Sequence, residues 1–150
     1  MERLNSVAGW GDMDFNSHMR NTAYLDKSAD VRLMFFSRHG FPIAEFAKLK
    51  LGPVVMKDEI TYFKEIKLLD KIEISLTVAG LSADGSRHLF RNEFYRVDGK
   101  CAAIVSSLGG WLDLTTRRFI VPPARLLAAL TSLPKTDDFA VLPSNIDRDD

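Results

Sequence analysis

Two Asp-Gly pairs set between β-rich runs constrain the fold of this chain more than any other feature. Asp84-Gly85 and Asp98-Gly99 separate three runs of similar length: residues 71–81, 87–97 and 101–114. Asp-Gly supplies the positive φ angles that tight hairpin turns need. Within the first run apolar residues alternate with other residues from Ile72 to Val78, which is the period of a strand that buries one face. The sequence therefore predicts an antiparallel meander.

A helix is predicted ahead of this meander, over residues 22–39. Residues recur there at the spacing of one helix face: Tyr24, Ser28, Val31 and Phe35. Asn21 is a favourable N-cap. Gly40 followed by Pro42 provides a left-handed stop and a residue that cannot continue the helix.

The flanking segments complete a single predicted domain over residues 1–133. Residues 4–10 and 54–62 are predicted strands, and residues 124–130 a short helix. Residues 134–150 mix Asp, Ser, Pro and Asn, which is typical of a loosely ordered C-terminal tail.

Composition excludes several classes of function. The chain has 150 residues with 20 Lys and Arg against 20 Asp and Glu, so no charge surplus suggests nucleic acid or an anionic membrane as partner. Cys101 is the single cysteine, which fits a reducing cytoplasm. No run approaches the roughly 18 apolar residues of a membrane span. The three histidines are scattered and Gly9-x-Gly11 lacks a third glycine, so neither a metal nor a cofactor is expected.

Residues 11–24 carry the densest set of reactive groups. Two acids, a histidine and two asparagines precede a predicted helix start, where unpaired backbone N–H groups and the helix dipole favour an oxyanion. A carboxylate there could activate water or attack an acyl carbon. Ordinary capping and turn chemistry, with Asp12 or Asp14 solvated, explains the same residues. Both interpretations are open at this point.

The spacing within this segment is D-x-D-x-x-x-H-x-x-N-x-x-Y: Asp12, Asp14, His18, Asn21 and Tyr24. It resembles the motif of hotdog-fold thioesterases of the 4-hydroxybenzoyl-CoA thioesterase-like superfamily, and the predicted order of strand, helix and meander is similar too. The resemblance covers residues 4–123. It implies an α+β hotdog fold, in which one antiparallel β-sheet wraps a long central helix.

The resemblance also implies roles for single residues. Asp14 matches the carboxylate that acts on the thioester, as nucleophile or as general base, and His18 orients the loop or the substrate. Asn21 and Thr22 lie where helix amides polarise the thioester carbonyl. The implied substrate is an acyl-CoA or acyl-carrier thioester, hydrolysed to free acid and thiol without a cofactor. The implied assembly is a homodimer or a dimer of dimers with acyl sites at the subunit interface.

The chain departs from the family pattern at two positions. Ser17 and Arg20 stand where members often have Gly and Asn, which puts the loop shape and the local charge in doubt. Some relatives carry the carboxylate on the central helix. Asp26 and Asp30 are available there, but their spacing and charged neighbours favour solvated surface residues.

Two other functions remain open from sequence. Asp14-Phe15-Asn16 followed by His18 resembles the D-x-N-P-x-H motif of hotdog enoyl-CoA hydratases, although the histidine comes one residue early and the proline is missing. A non-catalytic acyl-CoA-binding protein would keep the same fold without turnover.

Overall fold

The β-rich runs form one sheet in the computed structural model, which describes residues 2–146. Within that range the sheet has seven strands: β1 (Glu2–Val7), β2 (Leu51–Tyr62), β3 (Lys71–Ser82), β4 (Arg87–Arg96), β5 (Cys101–Asp113), β6 (Arg118–Phe119) and β7 (Lys135–Leu142). Three α-helices accompany them: α1 (Asn21–Arg38), α2 (Ile43–Leu49) and α3 (Ala124–Ser132).

The two Asp-Gly turns confirm the predicted meander. Gly85 and Gly99 have φ angles of 77° and 80°, and β3, β4 and β5 pair antiparallel across them. β1 adds to β3 and β2 adds to β5, which gives the order β1-β3-β4-β5-β2. The sheet curls around α1, so the predicted α+β hotdog arrangement is confirmed.

The central helix α1 packs one face against β1, β3 and β5. That face carries its buried residues: Ala23, Tyr24, Ser28, Val31, Phe35 and Phe36. Its end is the predicted one, because Gly40 has a φ angle of 86° and the Phe41 N–H donates to the Phe36 carbonyl at 2.8 Å. Among residues 2–146, neither α1 nor another helix has the length and apolar character needed to cross a membrane.

Helix α2 was not predicted. It has seven residues, of which only Phe46 is buried, so it shows no helical period in the sequence. The Phe46 ring lies 5.5 Å from Phe41, 5.8 Å from Phe36 and 6.3 Å from Trp111, measured between centroids. These rings extend the core beyond the end of α1.

The expectation of a loose tail from residue 134 is wrong for residues 135–142. They form β7, which runs parallel to β3 with residues 80–82 opposite 140–142. The described part of β1 covers β3 as far as Leu76, and β7 pairs with backbone groups further along the same edge. The first half of β7, Lys135 to Asp138, is polar in sequence, and most residues of the strand are exposed at the border of the sheet. Residues 147–150 of the predicted tail lie outside the described residues.

Hydrogen bonds join Ser144 and Asn145, which follow β7, to the turn between β3 and β4. The Asp84 carboxylate accepts hydroxyl hydrogen bonds from Ser82, Ser86 and Ser144 at 2.5–2.8 Å, and Asn145 Nδ2 donates to the Ser86 carbonyl at 2.8 Å. Burial alone would raise the pKa of Asp84, but the hydrogen bonds from Ser144, Ser86 and Ser82 outweigh it and hold the pKa well below its ordinary 3.8.

We expect Asp84→Asn to destabilise the fold at neutral pH and to do so less in acid. A carboxyl group whose pKa is lowered by folding contributes stability above its unfolded pKa and loses it as the pH falls through the folded pKa. The difference in free energy of unfolding between wild type and variant should therefore shrink below about pH 4. Urea unfolding followed by circular dichroism across that range measures it, with exposed Asp137→Asn on β7 as control. A difference independent of pH would contradict this origin.

Candidate active site

A cleft of about 510 Å³ opens at the start of α1. One wall is the loop that leads into the helix, with Asp14 and residues 18–20, and the other is formed by residues 62–66 at and after the end of β2. Asn21 and Tyr24 of α1 also line it. We call this cavity the helix-start cleft. Its volume lies in the range of small-molecule sites.

Backbone hydrogen bonds shape the loop between β1 and α1. The Asp14 N–H donates to the His18 carbonyl at 2.8 Å, and the Ser17 N–H donates to the Asp14 carbonyl at 3.2 Å, so the chain turns back on itself. Ser17 has a φ angle of 64°, a conformation that glycine adopts without steric cost. Serine at this position therefore keeps the turn that glycine would make. The Met19 N–H donates to the Ile66 carbonyl at 2.8 Å, which joins the loop to the opposite wall.

The Asp14 carboxylate is anchored through one oxygen only. Its Oδ1 accepts the backbone N–H groups of Asn16 at 2.8 Å and His18 at 3.1 Å. Among residues 2–146, no hydrogen-bond donor reaches Oδ2. The side chain is exposed and lines the helix-start cleft. A carboxylate held in this way has a free oxygen with which to accept a proton or to attack.

Asp12, the other acid of the loop, is occupied by structural contacts. Its Oδ2 accepts the Gly9 N–H at 2.8 Å and lies 3.2 Å from Lys27 Nζ. Lys27 Nζ in turn donates to Ser6 Oγ at 3.1 Å. Asp12 therefore ties β1, the loop and α1 together and does not line the helix-start cleft.

His18 connects the two walls of the helix-start cleft. Its Nε2 lies 3.3 Å from Glu65 Oε2, and its backbone forms an isolated antiparallel bridge with Lys67. Glu65 lines the cleft as a second carboxylate. This arrangement suits a histidine that orients the loop.

The start of α1 differs from the prediction. Asn21 is the first helical residue and not the N-cap, which is Arg20 in an extended conformation with no side-chain cap hydrogen bond. The Arg20 carbonyl accepts the Ala23 N–H at 3.0 Å and so begins the helix one residue earlier than expected. The first-turn N–H groups of Asn21 and Thr22 have no intrahelical acceptor. In the part of the chain that the structure describes no side chain caps them, so they are available to a ligand.

We expect Arg20→Ser to stabilise the protein while slowing its reaction. Serine at this extended position adds the missing cap acceptor, a change that contributes about 0.5–2 kcal/mol to helix stability. The same hydroxyl would compete with a substrate carbonyl for the first-turn amides. Thermal unfolding and turnover of the variant measure the two effects, with Arg20→Ala, which removes the same cation without adding a hydroxyl, as control. Higher stability with unchanged turnover would show that these amides do not contact the substrate.

Aromatic rings line the apolar part of the helix-start cleft. Tyr24 is 2% exposed, and its ring lies 5.4 Å from Tyr62 and 5.0 Å from Phe94 between centroids. Burial, together with the neighbouring Tyr62, raises the pKa of Tyr24 to about 12. Tyr24 is therefore neutral at pH 7 and can donate but not accept a proton. Tyr62 and Phe63 are half exposed and leave apolar surface at the cleft.

The structure brings three of the four predicted site residues together. Asp14, His18 and Asn21 all line the helix-start cleft, whereas Thr22, exposed at the next helical position, does not. The alternative helix carboxylates, Asp26 and Asp30, are exposed on α1 and lie outside the cleft.

Sequence reasoning missed Lys64, Glu65 and Ile66 of the second wall. They lie in an irregular segment between β2 and β3, which carries no periodicity and resembles no motif quoted above. Within residues 2–146, no three His, Cys, Asp or Glu side chains converge closely enough to hold a metal ion.

The sequence itself identifies the family. Residues 8–130 match the family model described as the Thioesterase-like superfamily. The chain belongs to this superfamily. The matched residues include every residue that lines the helix-start cleft of this thioesterase-like protein. Comparison with curated protein sequences finds no match.

Solved structures of similar fold include a protein in complex with CoA and a CoA thioesterase. A hypothetical protein from Staphylococcus aureus in complex with CoA has 20% identity and a TM-score of 0.79, over 96% of this chain and 90% of that one. A 1,4-dihydroxy-2-naphthoyl-CoA thioesterase from Synechocystis has 14% identity and a TM-score of 0.77, over 87% and 96%. The probable thioesterase YbaW from Escherichia coli has 17% identity and a TM-score of 0.75, over 89% and 98%. At these identities the likeness establishes the shared fold.

Proposed function

We propose that this protein hydrolyses acyl-CoA thioesters in the helix-start cleft, with Asp14 as the acting carboxylate. The observation that carries the proposal combines two features of residues 2–146: the Asp14 carboxylate is anchored through Oδ1 with Oδ2 unpaired, and the amides at the start of α1 have no side-chain cap. Membership of the Thioesterase-like superfamily supports the reaction class. The CoA complex of the staphylococcal neighbour supports CoA as the thiol.

Each of these groups has its own role in the proposed reaction. The N–H groups of Asn21 and Thr22 carry the positive end of the helix dipole and stabilise the oxyanion that forms at the thioester carbonyl. Asp14 Oδ2 either takes a proton from the attacking water or attacks the carbonyl carbon itself, giving a mixed anhydride that water then opens. In both routes the C–S bond breaks, CoA leaves as a thiolate that takes up a proton, and the acyl group leaves as free acid.

Charged side chains are proposed to bind the CoA part of the substrate, and aromatic side chains the acyl part. Arg20 and Lys64 are exposed and line the helix-start cleft, where their cationic groups suit the phosphates of CoA. Tyr62 and Phe63 offer apolar surface to the acyl group. His18, held by Glu65, positions the loop that carries Asp14.

Release of thiol by the wild-type protein tests this proposal. A panel of short, medium, long and aromatic acyl-CoAs, with acyl-carrier thioesters alongside, should release thiol from at least one CoA thioester. Hydration of an enoyl-CoA without thiol release would favour the hydratase instead. Binding without turnover of any thioester would favour a lipid-binding protein.

We also propose that the protein is a homodimer, or a dimer of dimers. β2 pairs with β5 on one side, and within residues 2–146 its other edge is unpaired, which favours the addition of a second strand. Apolar side chains on α1 and β2 are substantially exposed: Leu33, Met34, Val55 and Met56. A cytoplasmic location is proposed as well, supported by the lone Cys101.

Light scattering on a sizing column is expected to give at least twice the chain mass of 16.9 kDa. Val55→Lys should lower that mass by burying a charge at the interface, whereas Val97→Lys, on the exposed β4–β5 turn, should leave it unchanged. A monomeric mass for the wild type at micromolar concentration would contradict the proposal.

A further inference from the structure

A second cavity, of about 180 Å³, lies between α1 and the beginning of β2. Arg32, Leu33 and Phe36 line it from the helix, and His88 and Phe90 line it from β4. It shares no lining residue with the helix-start cleft. Arg32 lies about 12 Å further along α1 than Tyr24 of that cleft. We call this cavity the mid-helix pocket.

A cation without a direct counter-ion borders the mid-helix pocket. Arg32 Nη1 donates to two neutral groups, Asn92 Oδ1 at 3.2 Å and Ser107 Oγ at 3.3 Å. Asp58 is connected only indirectly, because Ser107 Oγ donates to Asp58 Oδ1 at 2.5 Å. Within residues 2–146 no carboxylate reaches the guanidinium at ion-pair distance. Burial lowers the pKa of Arg32 below 12.5, but an arginine remains charged at pH 7, so the pocket favours an anion.

A buried histidine lines the same pocket. His88 is 4% exposed, and among the described residues neither ring nitrogen makes a hydrogen bond of normal geometry. Burial and the nearby Arg32 cation lower the pKa of His88 to about 3, although the backbone of Gly110 opposes this. The ring is therefore neutral at pH 7, and its N–H donor makes no hydrogen bond of normal geometry within residues 2–146. Leaving such a donor buried and unpaired is costly.

We propose that the mid-helix pocket binds a small monocarboxylate with an apolar body. The carboxylate would pair with the Arg32 guanidinium and accept the His88 N–H, which supplies the partners that both groups lack. The apolar body would lie against Phe36 and Phe90. A pocket of 180 Å³ exceeds the roughly 150 Å³ that holds benzene in an engineered apolar cavity. Benzoate is therefore a probe of suitable size and charge, and its binding does not depend on thioester hydrolysis.

Ring resonances of the histidines locate benzoate without disturbing the pocket. The chain has three histidines, so His18→Gln and His39→Gln assign the third set of ¹⁵N ring signals to His88. Titration with benzoate should shift the His88 signals, and benzyl alcohol, of similar shape but uncharged, should shift them less. Shifts at His18 alone would place benzoate in the helix-start cleft and overturn this proposal while leaving the proposed function intact. No shift at any histidine would also overturn it.

Two substitutions test the contacts. Arg32→Met should weaken benzoate binding by about 10- to 100-fold, the range expected for a lost charge-assisted hydrogen bond, whereas Arg38→Met on the same helix should not. Ala29→Trp, at another lining position of α1, keeps Arg32 and His88 and fills the pocket, so it should also abolish the His88 shift even if Arg32→Met does not fold. Unchanged affinity in Ala29→Trp would overturn the proposal.

Discussion

Asp14→Asn is expected to lower the rate of acyl-CoA hydrolysis by at least about 10²–10⁴-fold, the effect of losing a general base. The substitution keeps the size of the side chain, and its Oδ1 can still accept the N–H groups of Asn16 and His18. It replaces Oδ2, the oxygen with no hydrogen-bond partner in residues 2–146, by an amide that can neither take a proton nor attack. Thiol release under saturating substrate measures the loss.

The neighbouring helix carboxylates provide matched controls for this prediction. Asp26→Asn and Asp30→Asn remove the same charge from exposed positions of α1 outside the helix-start cleft, and we expect hydrolysis to stay near the wild-type rate in both. Near wild-type hydrolysis by Asp14→Asn, together with a large loss in either control, would move the chemistry to the helix. His18→Ala should cost less than Asp14→Asn, because His18 positions the loop and makes no bond.

Trp111→Ala is expected to cost about 3–5 kcal/mol of unfolding free energy, the range for deleting a buried large aromatic. Trp111 is 0% exposed, and its ring lies 5.6 Å from Phe36 and 5.1 Å from His88 between centroids. Its Nε1 donates to the Gly85 carbonyl at 3.1 Å. The substitution opens a cavity and leaves that carbonyl without its partner, which adds to the loss.

The chain contains its own control for this measurement. Trp10, the other of its two tryptophans, is 83% exposed, so Trp10→Ala should change the unfolding free energy by less than about 0.5 kcal/mol. Guanidinium unfolding followed by circular dichroism compares the two variants with wild type. Similar losses for both would contradict the placement of Trp111 in the core.

Local signals in the sequence predicted most of the fold. Each Asp-Gly turn, the period of α1 and its Gly40 stop depend on residues close together in the chain, and all three are confirmed. Helix α2 could not be predicted because its single buried residue, Phe46, gives no period. β7 depends on an edge of β3 that only the tertiary structure leaves open.

The candidate site was likewise predicted in part: residues close together in the chain were identified, and those brought in from elsewhere were not. Asp14, His18 and Asn21 belong to one continuous segment and could be identified from their spacing. Glu65 comes to His18 from a distant irregular segment, and Arg20 replaces Asn21 as the cap because the preceding loop sets where the helix begins. Such arrangements depend on contacts between segments, which a residue pattern does not encode.

A crystal structure of Asp14→Asn with an intact acyl-CoA tests the central claim most directly. We expect the thioester carbonyl oxygen within hydrogen-bond distance of the Asn21 or Thr22 N–H. In the nucleophilic route the carbonyl carbon should lie about 3–3.5 Å from the side-chain amide of the variant, the separation of a near-attack geometry, and in the general-base route a water should lie between the two. A thioester bound away from the helix-start cleft, beside Asp26 or Asp30, would contradict the account.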